Sequence, residues 1–298
     1  MKKIIRSIFK FLFGKLLHEI NLRSLEKKEK NILLNAKLII NGRNFRSKNI
    51  NDYEFSVFSQ WGEDGILNYL INNLNIESKN FVEFGVENYL ESNTRFILQN
   101  DNWSGLILDN DKKNIKEIQN HYYYWRHDLK AEYSHITSEN INQILKDKFK
   151  QKSIGILSID VDGNDYWIWK SIKEVDPQIV IIEYNSRFGK DRSVTVPYHP
   201  QFDRKKFHFS MLYYGASLKA LCKLAESKNF KLVGTNKAGN NAFFVKKDLL
   251  NDQVQQTTIE NCFRYGKFRE SRDKKGELLF KNLNEEIEIL KKLELVEV

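Results

Sequence analysis

The sequence predicts an α/β fold: a Rossmann-like, mostly parallel sheet of seven strands with helices on both faces, and helical extensions at the N- and C-terminal ends. Three observations predict it. Between residues 55 and 248, short apolar runs alternate with segments of helical period. The apolar runs are continuous rather than alternating, as in strands covered on both faces. Acids gather where those runs stop, at the carboxyl ends of strands, where sheets of this kind bind ligands.

In chain order, QWGEDGILNYLINNL reads as an amphipathic helix and NFVEFGV (80–86) as the first strand, ending in Gly85. ESNTRFILQN is a helix with Ser92 or Asn93 as its cap, and WSGLILDND (103–111) is the second strand. KKNIKEIQN is helical, HYYYWRHD leads into a short third strand, and SENINQILKDKF is a helix capped by Ser138. SIGILSIDVD is the fourth strand, DYWIWKSI a helix, and PQIVIIEYN (177–185) the fifth strand. ASLKALCKLAESKNF, KLVGTN and NAFFVKK supply a further helix and the last two strands. The expected division is a basic N-terminal arm over 1–50, the α/β domain over 51–250 and a helical extension over 251–298.

In the arm, Ile4, Ile5, Ile8, Leu12 and Leu16 share one helical face, and Lys3, Arg6 and Lys10 gather opposite. The segment is too interrupted by lysine for a signal peptide and too charged to span a bilayer. It suits either a helix packed on protein, including a second subunit in a homodimer, or one resting on an anionic membrane surface. In the C-terminal extension, Leu283, Ile287, Leu290 and Leu293 fall near helical spacing.

With 41% hydrophobic and 29% charged residues the chain is a folded one. The net charge of +9 sits largely at the two ends, while the middle is acidic, which argues against a nucleic-acid partner. Cys222 and Cys262 have no metal-ligand spacing and suit a reducing cytoplasm.

The rim acids carry the chemistry. Glu83 lies in the first strand, Asp109 and Asp111 end the second, and Asp128 is placed at the third. Asp160 and Asp162 follow the fourth, Glu183 and Asn185 the fifth. One such acid is a helix cap; five strands contributing to one rim are not explained by capping alone. The first turn, FGVENYLES, lacks the three glycines that admit a pyrophosphate. An acid ending the second strand still suits ribose hydroxyls. A cationic nucleoside without a diphosphate fits this rim, and S-adenosylmethionine answers that description.

The series FVEFG, GLILDND, HD, ILSIDVDGND and IVIIEYN resembles a class I S-adenosylmethionine-dependent methyltransferase, and within that group the FkbM-type branch of bacterial surface-glycan loci. The resemblance implies that Glu83 and Gly85 line the methionine end of the cofactor, that Asp109 takes the ribose hydroxyls, and that Asp128 faces the adenine amine. It extends to FSQWGEDG, so that Gln60, Glu63 and Asp64 contact the cofactor or else cap the next helix. The turn is reduced to GVEN, which leaves the contacts of Asn88 open. Asp160 falls near the reacting methyl. The implied reaction is O-methylation of a sugar or nucleotide-sugar hydroxyl in capsule or lipopolysaccharide synthesis, in the cytoplasm or on the inner face of its membrane. Asp160, Asp162 and Glu183 are the candidate bases. Asp160, Glu183 and Asn185 either bind substrate hydroxyls or form an oxygen-ligand site for Mg²⁺.

Two rivals remain. IDVDG is similar to the first motif of haloacid-dehalogenase-type phosphatases, with Asp160 as nucleophile and Asp162 beside it, although Asn164 replaces the usual threonine. The other is a non-catalytic, membrane-associated binding module on the same fold.

Overall fold

The computed structural model describes residues 2–42 and 47–298. The chain divides into two compact units at residues 45 and 46. The first contains one helix, α1 (Lys2–Asn41), which is 40 residues long and so extends about 60 Å. Proline is absent from it, and a Glu26–Lys30 pair one turn apart closes at 2.8 Å. Phe13, Leu16, Leu17, Ile20, Leu34 and Leu38 stand exposed along it. The rest of the expected apolar face (Ile4, Ile5, Ile8, Leu12) and the basic face (Lys3, Arg6, Lys10) concern side chains outside the described residues.

The second unit holds nine strands among the described residues: β1 (Asn80–Phe84), β2 (Ser104–Asp109), β3 (Leu129–Tyr133), β4 (Ser153–Ile159), β5 (Asp176–Glu183), β6 (Val194–Thr195), β7 (Phe230–Thr235), β8 (Asn241–Lys246) and β9 (Val296–Glu297). Seven of them form one sheet in the order β3-β2-β1-β4-β5-β8-β7. Neighbours from β3 to β5 are parallel, and β8 alone runs against both of its partners. The predicted sixth and seventh strands are β7 and β8. The short pair β6–β9 has too few residues to leave a periodic signal.

The interconnecting helices are α2 (Glu63–Asn73), α3 (Arg95–Asn100), α4 (Lys112–Gln119), α5 (Tyr122–Arg126), α6 (Ile141–Lys148), α7 (Asp165–Ser171), α8 (Arg204–Phe207) and α9 (Leu218–Ser227). The continuous Ile, Leu, Val and Phe runs of β1, β4, β5 and β8 are buried along their length, with Trp169 of α7 against Phe230 and Phe244. That double-sided burial is why these strands read as uninterrupted apolar runs.

Register sets the site. Phe84 pairs with Leu108 on one side and Ile159 on the other, and Ile159 with Ile182. Gly85, Asp109, Asp160 and Glu183 therefore leave the sheet at one level, at the point where strand order reverses between β1 and β4.

Thr94 and Asn140 stand at the N-cap positions of α3 and α6 without a side-chain cap bond, so Ser138 does not cap α6, while Ser92 Oγ does accept from Arg95 N at the start of α3. HYYYWRHD leads into β3 as expected, folding first as α5, so that the strand begins at Leu129. The last predicted helix is short: after α10 (Ile259–Cys262) the chain runs extended to α11 (Leu283–Leu290), which stops before Leu293.

Candidate active site

Two adjoining cavities open over the carboxyl ends of the strands. The larger, about 560 Å³, lies over β1, β4 and β5 and is lined by eight carboxylates and two guanidinium groups. The smaller, about 330 Å³, lies over β1, β2 and β4 and is lined by Asp109, Asp111, Asn114, Ser134, His135, Ile136 and Phe202 among others. Gly85, Glu87, Asp160, Asp162 and Arg204 border both.

Gly85 is required by the approach of two strand ends. Its φ is +71°, and a Cβ there would sit 1.6 Å from the Asp160 carbonyl oxygen. Beyond it, Glu87 and Tyr89 adopt left-handed backbone at φ 47° and 61° without being glycine. The turn keeps that conformation because Glu87 N donates to Asp109 Oδ2 at 2.8 Å and Tyr89 is fully buried with its hydroxyl 2.9 Å from Thr94 Oγ1.

The carboxylates of β1 and β2 are committed to the backbone around them. Glu83 Oε1 accepts from Asn93 N (2.8 Å) and Ser158 Oγ (3.3 Å), and Oε2 from the Thr94 amide and hydroxyl. Burial pushes its pKa up, against those donors. Asp109 Oδ1 accepts from Asp111 N (2.8 Å) and Asn114 Nδ2 (3.1 Å), and Asp111 in turn caps α4 through Lys113 N. Asp165 repeats the device: its two oxygens take Val161 N and Gly163 N at 2.8 and 2.9 Å, while burial raises its pKa to about 6. Backbone amides leading into three helices are thus held by side chains: Asn93, Thr94 and Arg95 N by Glu83 and Ser92 before α3, Asp111 and Lys113 N by Asp109 and Asp111 at α4, and Val161 and Gly163 N by Asp165 before α7. The rim therefore offers a phosphate few free N–H groups, which is what the single glycine of the first turn implies.

Asp160 and Glu183 are different. Among the described residues no donor reaches either carboxylate, and Glu183 Oε2 is buried without a partner. Burial, then mutual repulsion with neighbouring acids, raises both well above the ordinary carboxylate range. Asp162 is exposed and pairs with Arg204 Nη1 at 3.3 Å.

Arg204 is held on every side. Its Nε donates to Met211 O (2.6 Å), Nη2 meets Glu270 Oε2 at 2.7 Å, and its guanidinium lies 3.7 Å from the Tyr214 ring centroid. Glu270 also faces the buried Arg187 at 3.2 Å, and Arg187 Nε donates to Glu286 Oε2 at 2.6 Å. The segment carrying Glu270 crosses the site: Tyr184 OH donates to Arg264 O, Gly266 N to Ser186 Oγ, and Phe268, Arg269 and Glu270 line the larger cavity. Gly239, at φ +81°, admits it, since a Cβ there would meet the 264–266 backbone at 2.8–2.9 Å.

Of the sequence-predicted residues, Gln60, Glu63, Glu83, Gly85, Asp160, Asp162 and Glu183 line the larger cavity, and Gly85, Asp109, Asp160 and Asp162 the smaller. Glu63 is engaged by Asn236, Asn241 and the Trp61 amide. Four expectations are corrected. Asp128 is exposed and precedes β3, at the opposite end of the sheet, because α5 delays the strand; Ser134, His135 and Ile136 occupy the rim there instead. Asp64 is buried away from both cavities, where Oδ2 gathers the amides of Val57, Phe58 and Ser59. Asn88 accepts from Leu90 N within its own turn. Asn185 leaves the metal set, because its amide bonds Leu212 O, Tyr214 O and Arg187 N. Among the described residues no three His, Cys, Asp or Glu side chains are grouped to hold a metal ion. Arg204, Glu270, Phe268 and Arg269 were not singled out from sequence; the basic run that contains the last three carries no spacing that points to a site.

A sheet of order 3-2-1-4-5 closed by an antiparallel hairpin, with an acidic rim at its switch point, defines a methyltransferase of the Rossmann-like class. A family model described as the methyltransferase FkbM domain matches residues 47–212. The chain belongs to that family, and it is an S-adenosylmethionine-dependent methyltransferase. Asp160 accordingly ends the central strand of a methyltransferase, and the phosphatase and non-catalytic readings give way. Similar solved structures include the N-terminal domain of EvdMO1 with SAH bound, at 9% identity over 57% of this chain and 73% of that one, TM-score 0.36. An O-methyltransferase from Bacillus cereus in complex with SAH is 12% identical over 60% and 76%, TM-score 0.38. A fibrillarin pre-rRNA processing protein from Methanococcus jannaschii is 11% identical over 62% and 76%, TM-score 0.39. No curated protein matches the chain.

Proposed function

We propose that this enzyme methylates a sugar hydroxyl during the synthesis of a surface polysaccharide such as capsule or lipopolysaccharide. The observation that carries the reading is the Asp160–Glu183 pair on the cavity wall: among the described residues neither carboxylate accepts a hydrogen bond, and Glu183 Oε2 is buried without a partner. A hydroxyl donor is the natural partner of such a pair.

The donor set fits the cofactor. Its sulfonium and ammonium suit a cavity with eight carboxylates, and the smaller cavity offers Asp109 to ribose hydroxyls, with His135, Ile136 and Phe202 for the base. S-adenosylmethionine, when bound, supplies an electrophilic methyl group. The chain's own work is to hold the acceptor and accept its proton. Burial, and after it the neighbouring acids, raises the pKa of both Asp160 and Glu183, which makes each a stronger base toward a hydroxyl proton than an exposed carboxylate. Glu183, whose side chain lines the larger cavity, takes the acceptor's hydroxyl proton. Arg204, locked between Asp162 and Glu270, fixes the wall beside the pair.

Among the described residues no helix is long and apolar enough to cross a membrane. The exposed Leu and Ile side chains of α1, with its many lysines and arginines, suit an anionic membrane surface, where surface-glycan precursors are assembled. Co-sedimentation with phosphatidylglycerol vesicles, lost on deleting residues 2–41, tests that part. For the reaction, calorimetric titration of S-adenosylhomocysteine should show one site that Asp109→Ala weakens, and a tritiated methyl group should pass to glycoside hydroxyls. Absence of cofactor binding in the unaltered protein would overturn the reading.

A further inference from the structure

The larger cavity has an aromatic wall that the reaction does not use. Trp61, from the loop before α2, and Phe268, from the segment that crosses the site, both line it. Their ring centroids are 5.8 Å apart with planes 24° from parallel. Trp61 remains 38% exposed, high for an aromatic at the mouth of a cavity. Trp61 lies inside the span matched by the family model and Phe268 outside it, so family membership does not by itself supply the stack.

The charges around it exclude a class of ligand. Eight carboxylates line the cavity against two arginines. Arg204 is spent on Asp162, Glu270 and Met211 O, and Arg269 lies over the Phe280 ring at 4.5 Å. At the helix start beside Trp61, that of α2, Asp64 N donates to Ser59 Oγ and Gly65 N to Phe55 O, and the amides leading into α3 are held by Glu83 and Ser92. A diphosphate entering here meets eight carboxylates, with the Arg269 guanidinium as the main donor left to set against them. A pyranose meets flat aromatic carbon for its C–H face and carboxylates for its hydroxyls.

We infer that Trp61 and Phe268 form the acceptor platform, and that the acceptor presented to it is an uncharged or amine-bearing pyranose rather than a nucleoside-diphosphate sugar. The inference rests on the proposed sugar O-methylation and names its substrate class. Within it, Trp61 and Phe268 determine acceptor affinity and leave the cofactor untouched.

The test uses the full chain saturated with S-adenosylhomocysteine and saturation-transfer NMR. The probes are the methyl glycosides of glucose, galactose, fucose and glucosamine, with uridine diphosphate glucose as the anionic comparator. At least one methyl glycoside should bind, and uridine diphosphate glucose should bind no tighter than methyl glucoside. Trp61→Ala and Phe268→Ala should each weaken the glycoside by about tenfold, the size of a lost stacking contact. Phe268→Tyr should restore it, and S-adenosylhomocysteine affinity should stay within about twofold throughout, a check that each variant is folded. Tighter binding of uridine diphosphate glucose, unchanged glycoside binding in both alanine variants, or no glycoside bound by a protein that does bind S-adenosylhomocysteine would each overturn the inference. Failure to bind S-adenosylhomocysteine marks the separate failure of the methyltransferase site on which it rests.

Discussion

The two halves of the rim use the same residue type to opposite ends. On β1 and β2, Glu83 and Asp109 give every carboxylate oxygen to protein donors and thereby shape the loops that border the smaller cavity. On β4 and β5, the side chains of the half-buried Asp160 and the buried Glu183 bond nothing among the described residues, and both have raised pKa values. A satisfied carboxylate fixes geometry; an unsatisfied buried one keeps capacity for a ligand, because desolvation without a partner is unfavourable until something arrives to donate. On the proposed reading, the first half holds a cofactor of constant shape and the second transfers the proton.

The sharpest test of that contrast is Glu183→Gln, which removes the charge and keeps the shape. It should lower kcat by about 10²- to 10⁴-fold, the usual contribution of a general base, with S-adenosylhomocysteine affinity unchanged by calorimetry. The pH profile of kcat/KM follows from the same pair. The base works only when ionised, and its pKa is raised by burial and then by the neighbouring acid, so activity should fall on acidification from a point well above the ordinary carboxylate range of about 4. An acid limb in the ordinary range would show that a different group takes the proton.

Smaller, but still large, is Glu270→Ala. It removes the carboxylate shared by the buried Arg187 and Arg204, leaving each with one other acid, Glu286 and Asp162, and the stability lost should be about 3 kcal/mol, read as a lower midpoint in urea. Asp109→Ala frees Glu87 N, Asp111 N and Asn114 and should weaken S-adenosylhomocysteine by about a hundredfold, or 2–3 kcal/mol, with little change in the pH profile. If Asp109→Ala instead shifted the acid limb, the two halves would not be separable. The smallest effect belongs to Asp128→Ala: exposed at the far end of the sheet, it should alter stability by no more than about 0.5 kcal/mol and leave cofactor affinity unchanged.

Asp128 also shows where sequence reading stops. Continuous apolar runs located six of the seven main strands, because burial on both faces is written in composition. HYYYWR gave no such signal: in its helix Tyr123 packs on the neighbouring His121 and on Tyr89, a residue from a distant turn that no local period records. Glu63 and Asp64 stand side by side in sequence, yet one borders the cavity and the other is buried under a turn, a distinction that depends on the direction of each side chain from α2.

By itself the sequence determined the sheet, the acidic rim, the lack of a pyrophosphate turn and the placement of Gly85, Asp109, Asp160 and Glu183, since each follows from local pattern and from strand ends. Only the tertiary structure decided which carboxylates are spent and which are free. It also brought Phe268, Arg269 and Glu270, more than eighty residues beyond Glu183, onto the cavity wall. The physical reason is the same in both cases: a hydrogen bond or an ion pair between distant segments depends on where the chain returns in space, and no periodicity in either segment records it.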